Sequence, residues 1–218
     1  MAGRPSRPWP ALLLVGPTGS GKTPLGAEIE RRGFHGRRCV HFDFGANLRS
    51  IAAAAEGEGG LTEEERSAVR ASLATGALFE DRDIPLIIRI LRRFAAARKL
   101  SFDSLLVLNG LPRHRRQAEG LAGVVAVERV VSLDASAAVI WERLRLDTGG
   151  DRAERADDTL EAVTRRLADF QDRTLPLVDY YRRLGVQINI IPVTATLTAG
   201  EMYDVLAPIM RAGEGGRG

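Results

Sequence analysis

At 218 residues, 44% hydrophobic and 27% charged, the chain has the size and composition of one globular domain with a proper core. A single cysteine, Cys39, excludes an internal disulfide framework, and its apolar neighbours imply a buried structural thiol. The net charge of +3 suits an anionic substrate without demanding nucleic acid. All but two of the 31 basic residues are arginine, the exceptions being Lys22 and Lys99, so an arginine by its presence alone says little.

Residues 1–10 hold three prolines and two arginines and read as an extended arm. The apolar run 11–15 reads as a buried strand. It is too short for a signal-peptide core, and the longest apolar runs fall far below membrane-spanning length, so a cytoplasmic protein with no membrane partner is expected. A helix-compatible stretch covers 25–32, and a second strand 39–42. Thr62-x-x-Glu65 is a capping box opening a helix to about residue 74. Asp83 and Pro85 open the helix 84–99, with Leu86, Ile87, Ile90, Leu91 and Phe94 on one face. Further strands are expected at 105–108, 129–133 and 186–191, and Thr198-x-x-Glu201 is a second capping box at the start of the last helix. Residues 213–218 form a glycine-rich tail.

Strands alternating with helices predict an α/β fold, a five-stranded parallel sheet with helices on both faces, occupying 11–212 as a single domain. Two segments break the alternation. Residues 45–97 are a mostly helical excursion longer than a crossover needs, and 147–156 are polar, charged and glycine-containing. Both read as elements able to close over substrates.

The most informative residues are Gly16-Pro17-Thr18-Gly19-Ser20-Gly21-Lys22-Thr23. They fit G-x-x-x-x-G-K-[ST] between a predicted strand and a predicted helix, the context of a nucleotide-binding P-loop. The glycines let consecutive N–H groups point at phosphate oxygens, and the helix N-terminus adds its positive dipole end. Lys22 would place a cation on the terminal phosphates of ATP, and the Thr23 hydroxyl would ligate Mg²⁺. Gly16, Gly19, Ser20 and Gly21 complete the loop. A second motif follows the third strand. Gly110 permits close backbone approach, Pro112 stiffens the turn, Arg113 stands at the strand's carboxyl end, and Gln117 offers an amide that could read a base edge. A plain surface turn in an arginine-rich helix fits the same spacing. His35, His41 and His114 lack metal-ligand spacing, which favours packing or exposed roles.

Here the sequence resembles the adenylate kinase family of nucleoside monophosphate kinases. That family carries G-[FY]-P-R-x-x-x-Q-A, matched by Gly110-Leu111-Pro112-Arg113 and Gln117-Ala118. It carries R-x-D-D and a later arginine, matched by Arg155-Ala156-Asp157-Asp158 and Arg166. Thr174-x-Pro176 and Tyr180-Tyr181 resemble its T-x-P…YY stretch. Gly76-Ala77-Leu78-Phe79 resembles its G-x-L-V, and Leu48-Arg49 the end of its S-T-G-D-x-x-R segment. The likeness runs in order from residue 12 to 206. It implies that Gly19, Gly21, Lys22 and Thr23 hold ATP and Mg²⁺, that Arg49 and Arg113 hold an acceptor nucleoside monophosphate beside Leu78 and Phe79, and that Gln117 reads the acceptor base. Arg155 and Arg166 would clamp the phosphoryl group in flight, with Arg152 a lid arginine on the ATP side. It further implies a short lid without a four-cysteine zinc site, AMP as the acceptor by family habit, no nucleic-acid partner, and a monomer as the favoured state.

Three departures bear on this. Asn109 stands where the family has an Asp that supports Mg²⁺ through water, which predicts a loosely held metal and a gain of activity in Asn109→Asp. Phe44 and Ala46 replace the Thr and Asp of S-T-G-D, so an aromatic could stack on or block the acceptor base. The expected lid arginine is displaced, with Arg145 and Arg152 as candidates. Two other readings stay open: a degenerate nucleotide-binding protein of the same fold, or a P-loop transferase acting on another acceptor.

Overall fold

The computed structural model describes residues 7–54, 61–148, 150 and 160–209. Its strands are β1 (Trp9–Val15), β2 (Cys39–Asp43), β3 (Leu105–Asn109), β4 (Val125–Asp134) and β5 (Gln187–Pro192). They form one parallel sheet in the order β2-β3-β1-β4-β5. Side chains alternate along β1 as the strand period dictates. Ala11, Leu13 and Val15 join a core with Phe42, Leu106, Leu108, Ile87 and Leu91. Leu12 and Leu14 join the opposite core with Leu25, Ile29, Met202 and Leu206. Apolar on both faces, the sheet is covered by helices on both faces, the expected α/β arrangement of a P-loop NTPase.

The helices are α1 (Lys22–Arg32), α2 (Phe44–Ala53), α3 (Glu63–Thr75), α4 (Ile84–Ala97), α5 (Arg115–Leu121), α6 (Ala137–Leu146), α7 (Leu160–Asp169), α8 (Pro176–Arg183) and α9 (Ala199–Ile209). Both capping boxes form. Thr62 accepts from the Glu65 N–H while Glu65 accepts from the Thr62 N–H, and Thr198 and Glu201 exchange the same pair of bonds. Three other helices are capped by side chains that the sequence did not mark as caps: Asp43 on α2, His114 on α5 and Ser136 on α6. No helix among the described residues is long and apolar enough to cross a membrane.

The structure moves two of the expected boundaries. The arm expected over 1–10 ends earlier, because Trp9 and Pro10 belong to β1. The Trp9 N–H donates to the Val124 carbonyl, and its ring stacks on Phe102 at 6.4 Å. The excursion expected over 45–97 is divided, because α4 packs on the sheet: Ile87 and Leu91 are fully buried in the cluster that holds Leu106 and Leu108. It is the helix that leads into β3, and α2, α3 and the turn Asp81–Asp83 precede it in the chain. Of the closing segment 147–156, residues 149 and 151–156 lie outside the described residues, as do 1–6 and the tail.

One close approach fixes how α1 sits on β2. A Cβ at Gly26 would collide with the His41 imidazole, whose ring lies against the helix. Gly26→Ala should therefore destabilise the protein in urea, by up to about 2 kcal/mol. The ~1 kcal/mol that alanine gains in a helix is outweighed by ~1–3 kcal/mol of overpacking. In the Gly26→Ala/His41→Ala double variant the substitution should cost less than it does alone.

Candidate functional site

The loop from Gly16 to Thr23 joins β1 to α1 beyond the carboxyl edge of the sheet, where ligands of such folds sit. Gly21 caps α1 at φ 97°, a conformation that favours glycine, and a Cβ there would lie 2.9 Å from Met202 Cε. The Lys22 ammonium donates to the carbonyls of Gly16 and Pro17 at 2.7 Å each, so the cation rests on the loop it would serve. The Ser20 hydroxyl is fully buried beneath the loop with no hydrogen-bond partner among the described residues. Ser20 therefore offers the cleft its backbone alone. Sequence reasoning missed Arg143 of α6, which is 3% exposed. It donates to the Gly19 carbonyl (3.2 Å) and to those of Thr194 (2.7 Å) and Leu197 (2.8 Å), tying the loop to the segment after β5. In a chain this rich in arginine, only burial distinguishes it.

Beside the loop, three strand ends meet. The Thr23 hydroxyl donates to Asp43 Oδ2 at 2.7 Å, and Asn109 Nδ2 donates to Asp43 Oδ2 at 2.9 Å and to Thr23 Oγ1 at 3.0 Å. Asp43 and Asn109 are register partners across β2 and β3. Asp43 Oδ1 accepts the Ala46 N–H at 2.8 Å and so starts α2.

The facing wall is built around Arg113. Its N–H donates to Gln117 Oε1 (2.8 Å) and its carbonyl accepts from the Thr174 hydroxyl (2.9 Å), so both backbone groups are held. Thr174 ends a π-helical turn, Phe170–Thr174, between α7 and α8, a device frequent at functional sites. Burial pushes the Arg113 guanidinium below its ordinary value. Asp169 opposes this, and the like charges of Arg166 and Arg173 reinforce it. Arg173 is itself bonded to Glu80 through both terminal nitrogens at 2.8 and 2.9 Å. A desolvated guanidinium beside a second cation is relieved by an anion, which phosphate oxygens would supply.

Gly16, Gly19, Gly21, Lys22, Thr23, Arg49, Leu78, Phe79, Gly110, Arg113, Gln117 and Arg166 all line this one cleft, together with Asp43, Asn109, Asp169, Phe170 and Thr174. Asp169 and Phe170 carry no sequence signal, whereas Thr174 is singled out by the T-x-P resemblance. Arg152 and Arg155, both expected in the site, lie outside the described residues, as do Asp157 and Asp158. Two expectations change. Gln117, expected to read a base, is 1% exposed, and its amide is engaged inside the protein: Oε1 takes the Arg113 N–H and Nε2 donates to the Phe79 carbonyl at 2.6 Å. His114, which caps α5, packs beside Gln117, with its Nε2 3.1 Å from the same Phe79 carbonyl. Phe44 neither stacks outward nor stands free. Its ring is buried against Phe79 at 5.6 Å and Phe42 at 6.0 Å.

Gln117→Leu should then lower stability in nucleotide-free protein by ~1–3 kcal/mol, the cost of leaving buried polar groups unmatched. Thermal or urea unfolding checks this, and a residue serving only to read a base would leave the transition where it was.

Comparison with known proteins agrees with the geometry. A family model described as an AAA domain matches residues 15–164. The chain is 33% identical over 184 residues to an adenylate kinase of Synechococcus sp. (strain WH7803), covering 82% of this chain and 88% of that one. It is 30% identical over 210 residues to an adenylate kinase of Stenotrophomonas maltophilia (strain R551-3), covering 94% and 99%. A gluconokinase structure from Sinorhizobium meliloti 1021 superposes with a TM-score of 0.51 over 95% of this chain and 99% of that one. At 17% identity it speaks to the fold alone. A chain with this loop, this sheet order and relatives matched along nearly their whole length belongs to the adenylate kinase family.

Proposed function

We propose that this protein is a nucleoside monophosphate kinase that transfers the γ-phosphoryl group of ATP, with Mg²⁺, to a nucleoside monophosphate. AMP is the acceptor suggested by the names of its relatives. The observation that supports the reading is one cleft lined both by the phosphate loop and by Arg113 and Arg166, so that donor and acceptor phosphates would share a site.

The donor set fits the metal: Thr23 Oγ1 and the Asp43 carboxylate are hard oxygens side by side at the loop. Bound with ATP, Mg²⁺ supplies positive charge to the β- and γ-phosphate oxygens. The protein's own part is positioning. Loop N–H groups and Lys22 hold the donor phosphates, Lys22 exchanging its carbonyl partners for phosphate oxygens. Arg113, fixed at both backbone groups, holds the acceptor phosphate, with Arg49 at the rim. An acceptor phosphate oxygen attacks the γ-phosphorus in line, the bond to the β–γ bridging oxygen breaks, and two diphosphates result. Arg166, joined in this proposal by Arg155, balances the charge that spreads over the transferring oxygens. Arg152 belongs to the proposed lid, residues 147–156. Gln117 serves by holding Arg113. The proposal includes a single catalytic domain over 11–212, a monomer, a cytoplasmic location and no nucleic-acid partner.

A second reading keeps the donor chemistry and changes the acceptor. It is favoured by the engagement of the Gln117 amide inside the protein and by the burial of Phe44, neither of which is turned toward a base. A panel of nucleoside monophosphates incubated with ATP and Mg²⁺, followed for diphosphate, decides between them. AMP should give the fastest conversion. Conversion of a different monophosphate alone selects the second reading, and no diphosphate from any of them rejects the kinase.

Two variants separate the walls. Lys22→Ala should weaken ATP binding by calorimetry about 10–100-fold, from the ~1.5–3 kcal/mol of a charged hydrogen bond, with the fold intact. Arg113→Ala should lower kcat about 100–1000-fold and raise the monophosphate KM while ATP affinity stays near wild type. Lost ATP binding in Arg113→Ala would put that arginine on the donor side.

A further inference from the structure

We propose that the carboxylate supporting the metal in this chain is Asp43, at the end of β2, and that Asn109, at the end of β3, is its positioning partner. The inference rests on the kinase reading above and concerns which strand supplies the charge. In the resemblance the acid belongs at position 109, and Asn109 reads as a weakened site. The geometry reverses that.

Asn109 turns its Nδ2 toward the site, donating to Thr23 Oγ1 at 3.0 Å and to Asp43 Oδ2 at 2.9 Å. An amide N–H is a donor and cannot ligate a cation. The only negative charge in the trio is the Asp43 carboxylate. Its Oδ2 takes the Thr23 hydroxyl proton at 2.7 Å, which fixes the hydroxyl so that its oxygen is available to a cation. Asp43 and Asn109 are register partners across β2 and β3, so one carboxylate there sits at nearly the same place as one on the other strand.

The neutrality of Asn109 follows from Asp43. An acid at 109 would put two carboxylates about as close as the present 2.9 Å contact. Two carboxylates at that distance repel each other, so a second acid at 109 is no additional arm for the metal, and no gain is expected from Asn109→Asp. The other oxygen of Asp43 is held by the Ala46 N–H at 2.8 Å.

A rival role for Asp43 is purely structural, as the N-cap of α2. Asparagine caps helices as well as aspartate does, so Asp43→Asn keeps the cap and removes the charge. The experiment uses the full chain in four forms: wild type, Asp43→Asn, Asn109→Asp and the exchanged pair Asp43→Asn/Asn109→Asp. ATP affinity is measured calorimetrically in EDTA and in Mg²⁺, and bound Mn²⁺ is followed by electron paramagnetic resonance in the presence of ATP. Neither readout needs turnover. In wild type, metal should tighten ATP binding. Asp43→Asn should lose that metal-dependent part about 10–100-fold while ATP affinity in EDTA is kept. Asn109→Asp should bind metal no better than wild type, and the exchanged pair should regain most of what Asp43→Asn lost. Wild-type metal dependence in Asp43→Asn, or tighter metal binding in Asn109→Asp alone, would overturn the proposal. Were Asp43→Asn to fold poorly, the exchanged pair carries the test, since failure to restore metal dependence in that folded variant also overturns it. A wild-type chain that binds no ATP even in EDTA would instead reject the kinase reading beneath it.

Discussion

Asp43 and Asn109 end the neighbouring strands β2 and β3, Thr23 lies in the first turn of α1, which follows β1, and the three side chains meet at 2.7 to 3.0 Å. This joint is the constraint on which the rest of the site depends. It requires the order β2-β3-β1, because only adjacent parallel strands bring three carboxyl ends to one edge. It requires β2 and β3 in register, so that residues 43 and 109 lie side by side. It also starts α2, because Asp43 spends its other oxygen on the first turn of that helix. The start of α1 behind the phosphate loop and the start of α2 are therefore both tied to one carboxylate. A shift of either strand by one residue would turn its member of the trio to the opposite face.

The acceptor wall follows a different logic. There a cation is held where solvent has largely been removed, which disfavours its charge. The fold tolerates this by fixing the backbone of Arg113 through Gln117 and Thr174 and by setting Asp169 near its guanidinium. Arg173 adds repulsion but is held by Glu80, which ties the π-helical turn to the segment before α4. The wall is thus braced in advance of any ligand, and a bound phosphate would relieve its excess positive charge. Preorganisation of this kind is the main contribution a protein can make to phosphoryl transfer, where little covalent work is required.

Much of this was legible in the chain because the signals are local. The loop motif, its flanking strand, both capping boxes and the apolar face of α4 each follow from spacing within a few residues, and each appears in the fold. The errors have a common origin. Asp43, His114 and Ser136 each cap a helix, but none forms a capping box, so the residues that start those helices had no signature to read. Gln117 was given to a base because an amide at a strand end is a plausible reader. Its inward turn depends on the distant Phe79 carbonyl, a contact that no local pattern encodes. Arg143 was hidden among many arginines, and Asn109 looked like a loss because its partner lies 66 residues away in sequence.

The most direct test of a two-sided cleft is the affinity of a bisubstrate analogue in which ATP and AMP are joined through their phosphates. If both walls are engaged at once, one molecule should bind per chain, about 10²–10⁴-fold tighter than ATP alone, because the second contact becomes intramolecular. The gain should vanish in Arg113→Ala. An analogue that binds no tighter than ATP, or whose advantage survives the loss of Arg113, would show that the two walls do not act on one pair of nucleotides.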